Sequence, residues 1–413
     1  MSLSRRRFLA AAGAAAAGAA LVGSGESPLS GVPVPGAAGE TRSSEIPFYG
    51  GHQGGIFEPR QRHTQFAAFD VVTSERSELT ALLQRWTAVA ADLTAGRAAG
   101  ASSRSNAPGA DSGEAIGLGA ARLTVNFGFG PSLFGVGGRD RFGLLQRSPV
   151  PLVELPPFPG DQIPASTSGG DLTVHVCADD AQVAFHALRQ LARSARPVAA
   201  LRWTQAGFSS PGPDGGTPRN LLGFVDGTVN PTAKECETFV WVGEEGPEWM
   251  AGGTYMVVRR IRVDLDAWDA TSIKDQEDVI GRHKSSGAPL GRTRQSDSLD
   301  LSARISDGDP VIPRDAHVRL ASAQANWGSM LLRRSFAFDD GLIGQGGSAG
   351  LDAGVLFICY QRYPVVGFIP IYRKLASADA LSRFTTHTAS AIAAVPAAAS
   401  RHGDWVGRRL FED

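Results

Sequence analysis

Asp226 has the setting of a residue that does chemistry. The stretch Gly223-Phe224-Val225-Asp226-Gly227-Thr228-Val229-Asn230-Pro231 places one carboxylate between two glycines, apolar just upstream and polar just downstream. Read as a calcium loop, Asp226, Thr228, Asn230 and Glu237 take positions one, three, five and twelve, but Pro231 sits at the sixth, where the sharp turn needs glycine. The mismatch argues against calcium. Asp-Gly is also ordinary turn punctuation, and a glycine-flanked carboxylate is equally what a buried site needs where backbone approaches a flat ligand closely. Spacing leaves those two readings open.

Other candidate chemistry is weaker. Gly128-Phe129-Gly130-Pro131 lacks the third glycine of a dinucleotide fingerprint, and no acidic residue is placed for a ribose. Cys177, Cys236 and Cys359 lie far apart without C-x-x-C spacing, which reads as three separate buried thiols rather than a zinc ribbon or disulfide scaffold. The chain carries 40 basic against 41 acidic residues. Only Lys234, Lys274, Lys284 and Lys374 are lysines, and the arginines form no polybasic run after the leader, so nucleic acid is not an expected partner.

Residues 1–44 read as an address. Ser4-Arg5-Arg6-Arg7-Phe8-Leu9 followed by an alanine-rich apolar run fits a twin-arginine export signal, cleaved near Ala37 or Ala38. The run is too short and too rich in Ala and Gly for a stable membrane span. The expected location is periplasmic or extracellular. Export of an already folded chain suits a protein that takes up its cofactor before leaving the cytoplasm.

Positioning such a carboxylate takes a scaffold, and 413 residues suggest two domains. Phe66–Val72 reads as a strand, and Leu79, Leu82, Leu83, Trp86 and Val89 recur at helical spacing over about 75–93. Residues 95–118 read as a loop, after which strands at LTVNFGF, DLTVHVCADD and VAALRWTQAGF flank a helix packing Ala184, Leu188 and Leu191. The PGPDGGTPRN stretch, 211–220, marks the boundary between an N-terminal domain at 45–215 and a C-terminal domain at 216–413. The second domain repeats the theme: strands at FVWVG, GTYMVVRRIRVDL, MLLRRSF and GVLFICY, a helix near 269–282, and a final helix over about 377–391. Alternating rather than continuously apolar strands predict an α+β fold with antiparallel sheets.

Seven ordered blocks cover the mature chain: PFYGGHQGGI, LTVNFGFGPSLF, GFVDGTVNP, QEDVIGRHKSSGAPL, DAHVRLA, MLLRRSF and DALSRFTTHTAS. Together they resemble the dye-decolourising peroxidase family, in particular its exported deferrochelatase/peroxidase branch. The resemblance implies two ferredoxin-like domains in a dimeric α/β-barrel-like arrangement, with one haem b per subunit held chiefly by the C-terminal domain. It implies hydrogen peroxide and small aromatic reductants, dyes or phenolics, as substrates, with haem release of iron to uptake components as the alternative activity. A homo-oligomer stays open.

A haem peroxidase needs an axial ligand, a group that moves a proton between the two peroxide oxygens, and a charge to stabilise the breaking O–O bond. Carried onto this chain, the resemblance assigns His317 as the proximal iron ligand, Asp226 as the distal acid–base group and Arg333 as the distal cation. It further implies haem contacts at Gly227, Thr228, Val229, Ser322, Ala323 and Gln324, a propionate contact at Arg319, and Asp379 as the carboxylate behind His317, with a helix cap as the alternative role of Asp379. An aspartate ordinarily titrates near ~3.9, so an acidic optimum with small dyes is expected. Tyr363, Tyr372, Trp327 and Trp405 are candidate surface relays for bulky reductants, with ordinary packing as the default.

Overall fold

Val, Thr and aromatic residues recurring at a period of two build nine strands, every one paired antiparallel within a single sheet. The computed structural model describes residues 45–100, 109–212, 215–344 and 350–412. The export signal therefore lies outside the described residues. In chain order come strand β1 (His63–Val71), helix α1 (Arg76–Thr94), β2 (Thr124–Phe129), β3 (Leu172–Ala178), α2 (Ala181–Ala195) and β4 (Ala199–Phe208). There follow α3 (Ala233–Phe239), β5 (Thr254–Val263), α4 (Leu265–Asp269), α5 (Ile273–Ile280) and α6 (His317–Ala321). The chain ends with β6 (Leu332–Arg333), β7 (Phe336–Ile343), β8 (Gly350–Gln361), α7 (Phe368–Ala378), β9 (Thr385–Val395) and α8 (Arg408–Phe411).

The strand order is β5-β9-β2-β3-β1-β4-β7-β8-β6, and β5 also pairs with β8, so eight strands close into a barrel-like sheet. Two joints are thin: β2 meets β9 only at Phe129↔Ala394, and β4 meets β7 only at Phe208↔Ala337. Strands β6 and β7 continue one another along the same side of β8, from Leu332↔Tyr360 to Phe336↔Leu356. This short ladder matters for the site.

Helix α1 forms as its spacing predicts: Leu79, Leu82, Leu83 and Trp86 are buried, and the Trp86 indole donates to the Leu191 carbonyl of α2 at 2.9 Å. Burying each large apolar side chain contributes roughly 1.5–3 kcal/mol. Asp180 caps α2, accepting from the Gln182 and Val183 amides. A second apolar cluster fills the barrel interior, including Phe66, Met256, Leu332, Phe338, Ile358 and Tyr360. All three cysteines are buried thiols, as their spacing suggested.

Two expected elements come out differently. Phe239–Gly243 is no strand: the Thr232/Glu235 capping box starts α3 just before it, and the Val240 and Trp241 amides both bond the Cys236 carbonyl. Nor is 377–391 a helix. Its alanines favour one, but from Thr385 the chain pairs with β5 along its whole length, from Val263↔Thr385 to Thr254↔Val395. The β-branched Thr385, Thr386, Thr388 and Ile392 suit that ladder, and tertiary pairing overrides propensity.

Candidate active site

The Asp226 loop is fixed before its carboxylate is placed. Arg219 donates to the carbonyls of Gly223, Lys284 and Ser285 at 2.6–2.7 Å, and the Asp226 amide bonds Pro218 O at 2.9 Å. Gly227 has φ +101, a backbone state that side chains resist, and a Cβ there would meet only Thr217 Cγ2, at 3.8 Å. Behind the carboxylate, then, lies a turn only glycine makes easily, with room in front of it.

Arg333 reaches the loop from β6. Its Nη1 lies 3.5 Å from Asp226 Oδ1, and its Nη2 donates to Val229 O at 3.1 Å. Both side chains remain partly open, 31 % and 25 % accessible. Asn230 fixes the backbone beneath: its Nδ2 donates to Arg333 O at 2.9 Å, and the Arg333 amide donates to its Oδ1 at 3.0 Å. One loop of five residues thus sets both the carboxylate and the guanidinium.

The neighbouring arginine goes the other way. Alternation along the strand turns Arg334 into the barrel, where it is buried and donates to Glu58 O at 2.6 Å and to Gln61 Oε1. Its Nε has no partner among the described residues.

His317 opens α6. Its Nδ1 lies 2.6 Å from Asp379 Oδ2, and no partner for Nε2 exists among the described residues. Asp379 is buried between α7 and the turn that follows, and its other oxygen caps that turn by accepting from the Leu381 amide at 2.9 Å. Capping and backing His317 are therefore one role, not alternatives. Burial pushes the His317 imidazole down, but the charge and hydrogen bond of Asp379 outweigh it, and the net displacement is upward. Arg333, downward, and Asp226, upward, act on it too, so all three groups lie within electrostatic reach of one space.

Other expected contacts divide. Arg319 spends Nε and Nη2 on the carbonyls of Leu301, Ile312 and Pro313 at 2.8–3.1 Å, which leaves Nη1 alone for a propionate. Ser322 uses its hydroxyl locally, on Arg319 O at 2.8 Å and the Ala325 amide at 3.2 Å. Ala323 is half-buried and Gln324 exposed, while Thr228 is half-buried and Val229 exposed. Of the aromatic candidates, Trp405 is buried, and Tyr372 packs against Phe158, Phe368 and Arg259. Tyr363 is exposed, and Trp327 is 89 % accessible on a left-handed residue with φ +51.

Three residues escaped sequence reasoning. Asn230 was in view only as the fifth position of the calcium loop that Pro231 argues against. Arg60 lies under Ser335 O and the Phe336 ring; burial lowers its pKa, and Asp226 acts against that fall. Buried Arg282 also has its pKa lowered, by burial and then by Arg333. Neither arginine sits at a spacing that would have flagged it.

The donor set fits a haem. An imidazole with Nδ1 committed to a carboxylate presents Nε2 to a metal with raised basicity, a glycine leaves room beside the opposed carboxylate, and an exposed Val229 offers an apolar rim.

Comparison with known proteins agrees. The model of the Dyp-type peroxidase N-terminal domain matches residues 53–209, and that of the C-terminal domain matches 217–400. The chain is 35 % identical over 400 residues to a deferrochelatase of Escherichia coli K12, covering 92 % of this chain and 90 % of the relative. It is 38 % identical over 378 residues to a dye-decolorizing peroxidase of Thermobifida fusca, with 87 % and 84 % covered. The oxyferrous complex of DtpA from Streptomyces lividans superposes with a TM-score of 0.82 at 44 % identity, covering 89 % of this chain and 98 % of that one. A haem complex of a DypB variant from Rhodococcus jostii RHA1, 23 % identical with a TM-score of 0.61, shares the fold.

Proposed function

The chain belongs to the Dyp-type peroxidase family and is a haem peroxidase, and from that premise we propose how its own residues divide the work. His317 Nε2 would hold the haem iron, and Asp379 Oδ2 accepts the Nδ1 proton, which fixes the tautomer and makes the imidazole a stronger donor. Asp226 takes the proton from the inner oxygen of hydrogen peroxide and returns it to the outer one. Arg333 holds permanent positive charge beside that carboxylate, where negative charge develops as the O–O bond breaks. Gly227, Thr228, Val229, Ser322, Ala323 and Gln324 would border the bound group, and Arg319 Nη1 would be the atom left to meet a propionate. Haem, when bound, supplies the iron at which peroxide is reduced and oxidising equivalents are held for dyes or phenolics.

The strand orders β2-β3-β1-β4 and β9-β5-β8-β7, joined by single-pair contacts, support two ferredoxin-like units at 45–215 and 216–413. The twin-arginine leader supports export to the periplasm or beyond. Among the described residues no helix is long and apolar enough to cross a membrane.

The observation that carries the assignment is a partly open Asp226–Arg333 pair together with a carboxylate-backed His317 whose Nδ1 lies 2.6 Å from Asp379. In the purified holoprotein, His317→Ala loses the Soret band, whereas Asp226→Asn keeps it and loses dye turnover; an unchanged Soret band in His317→Ala overturns the ligand assignment. A second activity is favoured by relatives named deferrochelatase: removal of iron with the tetrapyrrole intact, in company with iron-uptake components. Metal-free porphyrin fluorescence appearing without peroxide would establish it, and its absence would leave the peroxidase alone.

A further inference from the structure

The barrel interior holds a polar constellation that the Asp226 side does not use. Tyr360 and His175 are both fully buried, and Tyr360 Oη lies 2.7 Å from His175 Nδ1. His175 Nε2 lies 3.0 Å from Thr64 Oγ1, whose hydroxyl donates to Val176 O at 3.0 Å. One tautomer satisfies the chain: the phenol donates to Nδ1, Nε2–H donates to Thr64, and Thr64 donates onward. Asn126 Oδ1, at 3.3 Å from Oη, and Cys177 Sγ, at 3.2 Å from Nε2, are the remaining polar neighbours. Burial, and after it the charge of Arg334, hold the imidazole down to about 3, so it is neutral with a lone pair facing the phenol.

The position of this pair in the sheet gives it meaning. In the β6–β8 ladder Tyr360 is opposite Leu332 and Cys359 is opposite Arg333. Alternation sends Arg333 toward the Asp226 side and Tyr360 into the barrel, so a single sheet lies between the peroxide-handling groups and a phenol already bonded to a base. Oxidising a tyrosine in an apolar interior requires its proton to leave with the electron, and an acceptor at hydrogen-bond distance meets that requirement.

We propose that Tyr360, with His175 as its proton acceptor, is a buried redox site that takes up one oxidising equivalent from the peroxide-oxidised haem when no external reductant is present. The proposal rests on the haem-peroxidase reading of the site. The phenol O–H breaks: its electron goes to the haem, its proton to His175 Nδ1, and a neutral tyrosyl radical faces an imidazolium whose Nε2–H stays on Thr64. A later reductant returns the electron and the proton moves back. Arg334, buried on the same face without a carboxylate partner among the described residues, opposes a lasting charge on His175. The site is therefore a shallow, reversible store.

The test is freeze-quench EPR of the holoenzyme mixed with hydrogen peroxide alone, with the Soret band followed in parallel. A tyrosyl signal is expected in the wild type, its loss in Tyr360→Phe, and its delay in His175→Gln, which keeps a hydrogen bond but no basic nitrogen. Should Tyr360→Phe fail to fold, 3-fluorotyrosine encoded at position 360 keeps the shape, and added fluorine splitting in the signal is the expected result. A Soret band that does not respond to peroxide overturns the haem-peroxidase reading and this site with it. A responding Soret band with a radical signal unaltered by either substitution at 360 overturns the site alone.

Discussion

Arg333 and Arg334 are adjacent in sequence and opposite in circumstance. The first hangs on the outer face of the β6–β8 ladder, partly open, near a carboxylate and bonded to Val229 O. The second is sealed inside the barrel, bonded to a carbonyl and an amide, with one N–H unmatched. The same contrast separates the residues around them. Outside, a partly open carboxylate and guanidinium meet at 3.5 Å; inside, a histidine, a tyrosine, a threonine and a cysteine are locked into a single hydrogen-bond pattern. A one-residue step along a strand thus separates groups kept available for substrate from groups withdrawn from water.

The sharpest way to break this contrast is to neutralise each arginine in turn. Arg333→Leu removes the cation that we propose stands beside the breaking O–O bond, and losing one such preorganised donor costs about 100- to 1,000-fold in rate. The expected result is that loss in kcat/KM for peroxide with an unchanged unfolding midpoint. Arg334→Met should do the reverse: peroxide kinetics within about twofold, and a stability loss of about 1–2 kcal/mol from the acceptors left on Glu58 and Gln61. Stopped-flow kinetics and urea titration on both variants measure it. Equal kinetic losses in the two would erase the distinction.

The interior face makes its own prediction, through His175. Its folded pKa is depressed to about 3, chiefly by burial and then by Arg334, so the unfolded chain binds the proton first. Stability contributed by the neutral imidazole is complete above about 6.5 and drains away as pH falls toward the folded value. Between pH 7 and pH 5 this one group should cost about 2 kcal/mol. The His175→Gln protein should show a flatter stability curve over that interval, and identical slopes would mean that the histidine does not titrate on unfolding.

How much of this could be read in advance follows from the range of the partnerships. Asp226, His317 and Arg333 could be proposed from sequence because each sits in a short block whose order along the chain is distinctive. Helix α1 was legible because Leu79, Leu82, Leu83 and Trp86 carry their periodicity locally. Strand β9 was not, because Ala389, Ala391, Ala393 and Ala394 favour a helix until β5 lies alongside. The interior cluster was beyond reach for the same reason: His175 in LTVHVCA looks like any strand residue, and its phenol partner is 185 residues away. Asp379 stood between two readings in sequence, helix cap or histidine partner, and geometry gives one oxygen to each.

The outer face yields the smallest expected effect, and it concerns placement rather than chemistry. Asn230 touches neither of the proposed peroxide-handling side chains, yet its amide both donates to and accepts from the Arg333 backbone, while Val229 O holds the guanidinium. Without those two bonds, strand β6 and the Asp226 loop are joined through the Arg333 side chain, to Val229 O at 3.1 Å and to Asp226 Oδ1 at 3.5 Å. Asn230→Ala should therefore let Arg333 wander relative to Asp226 and lower kcat/KM for peroxide by about tenfold, the equivalent of about 1.4 kcal/mol, while leaving the Soret band intact. Asn230→Asp keeps the acceptor for the Arg333 amide and loses only the donor, so its loss should be the smaller of the two. Weakened cyanide binding in the same order would show that the distal pocket itself has loosened. If both variants instead react with peroxide at the wild-type rate, the ladder to β8 alone suffices to position Arg333, and the loop is a passenger.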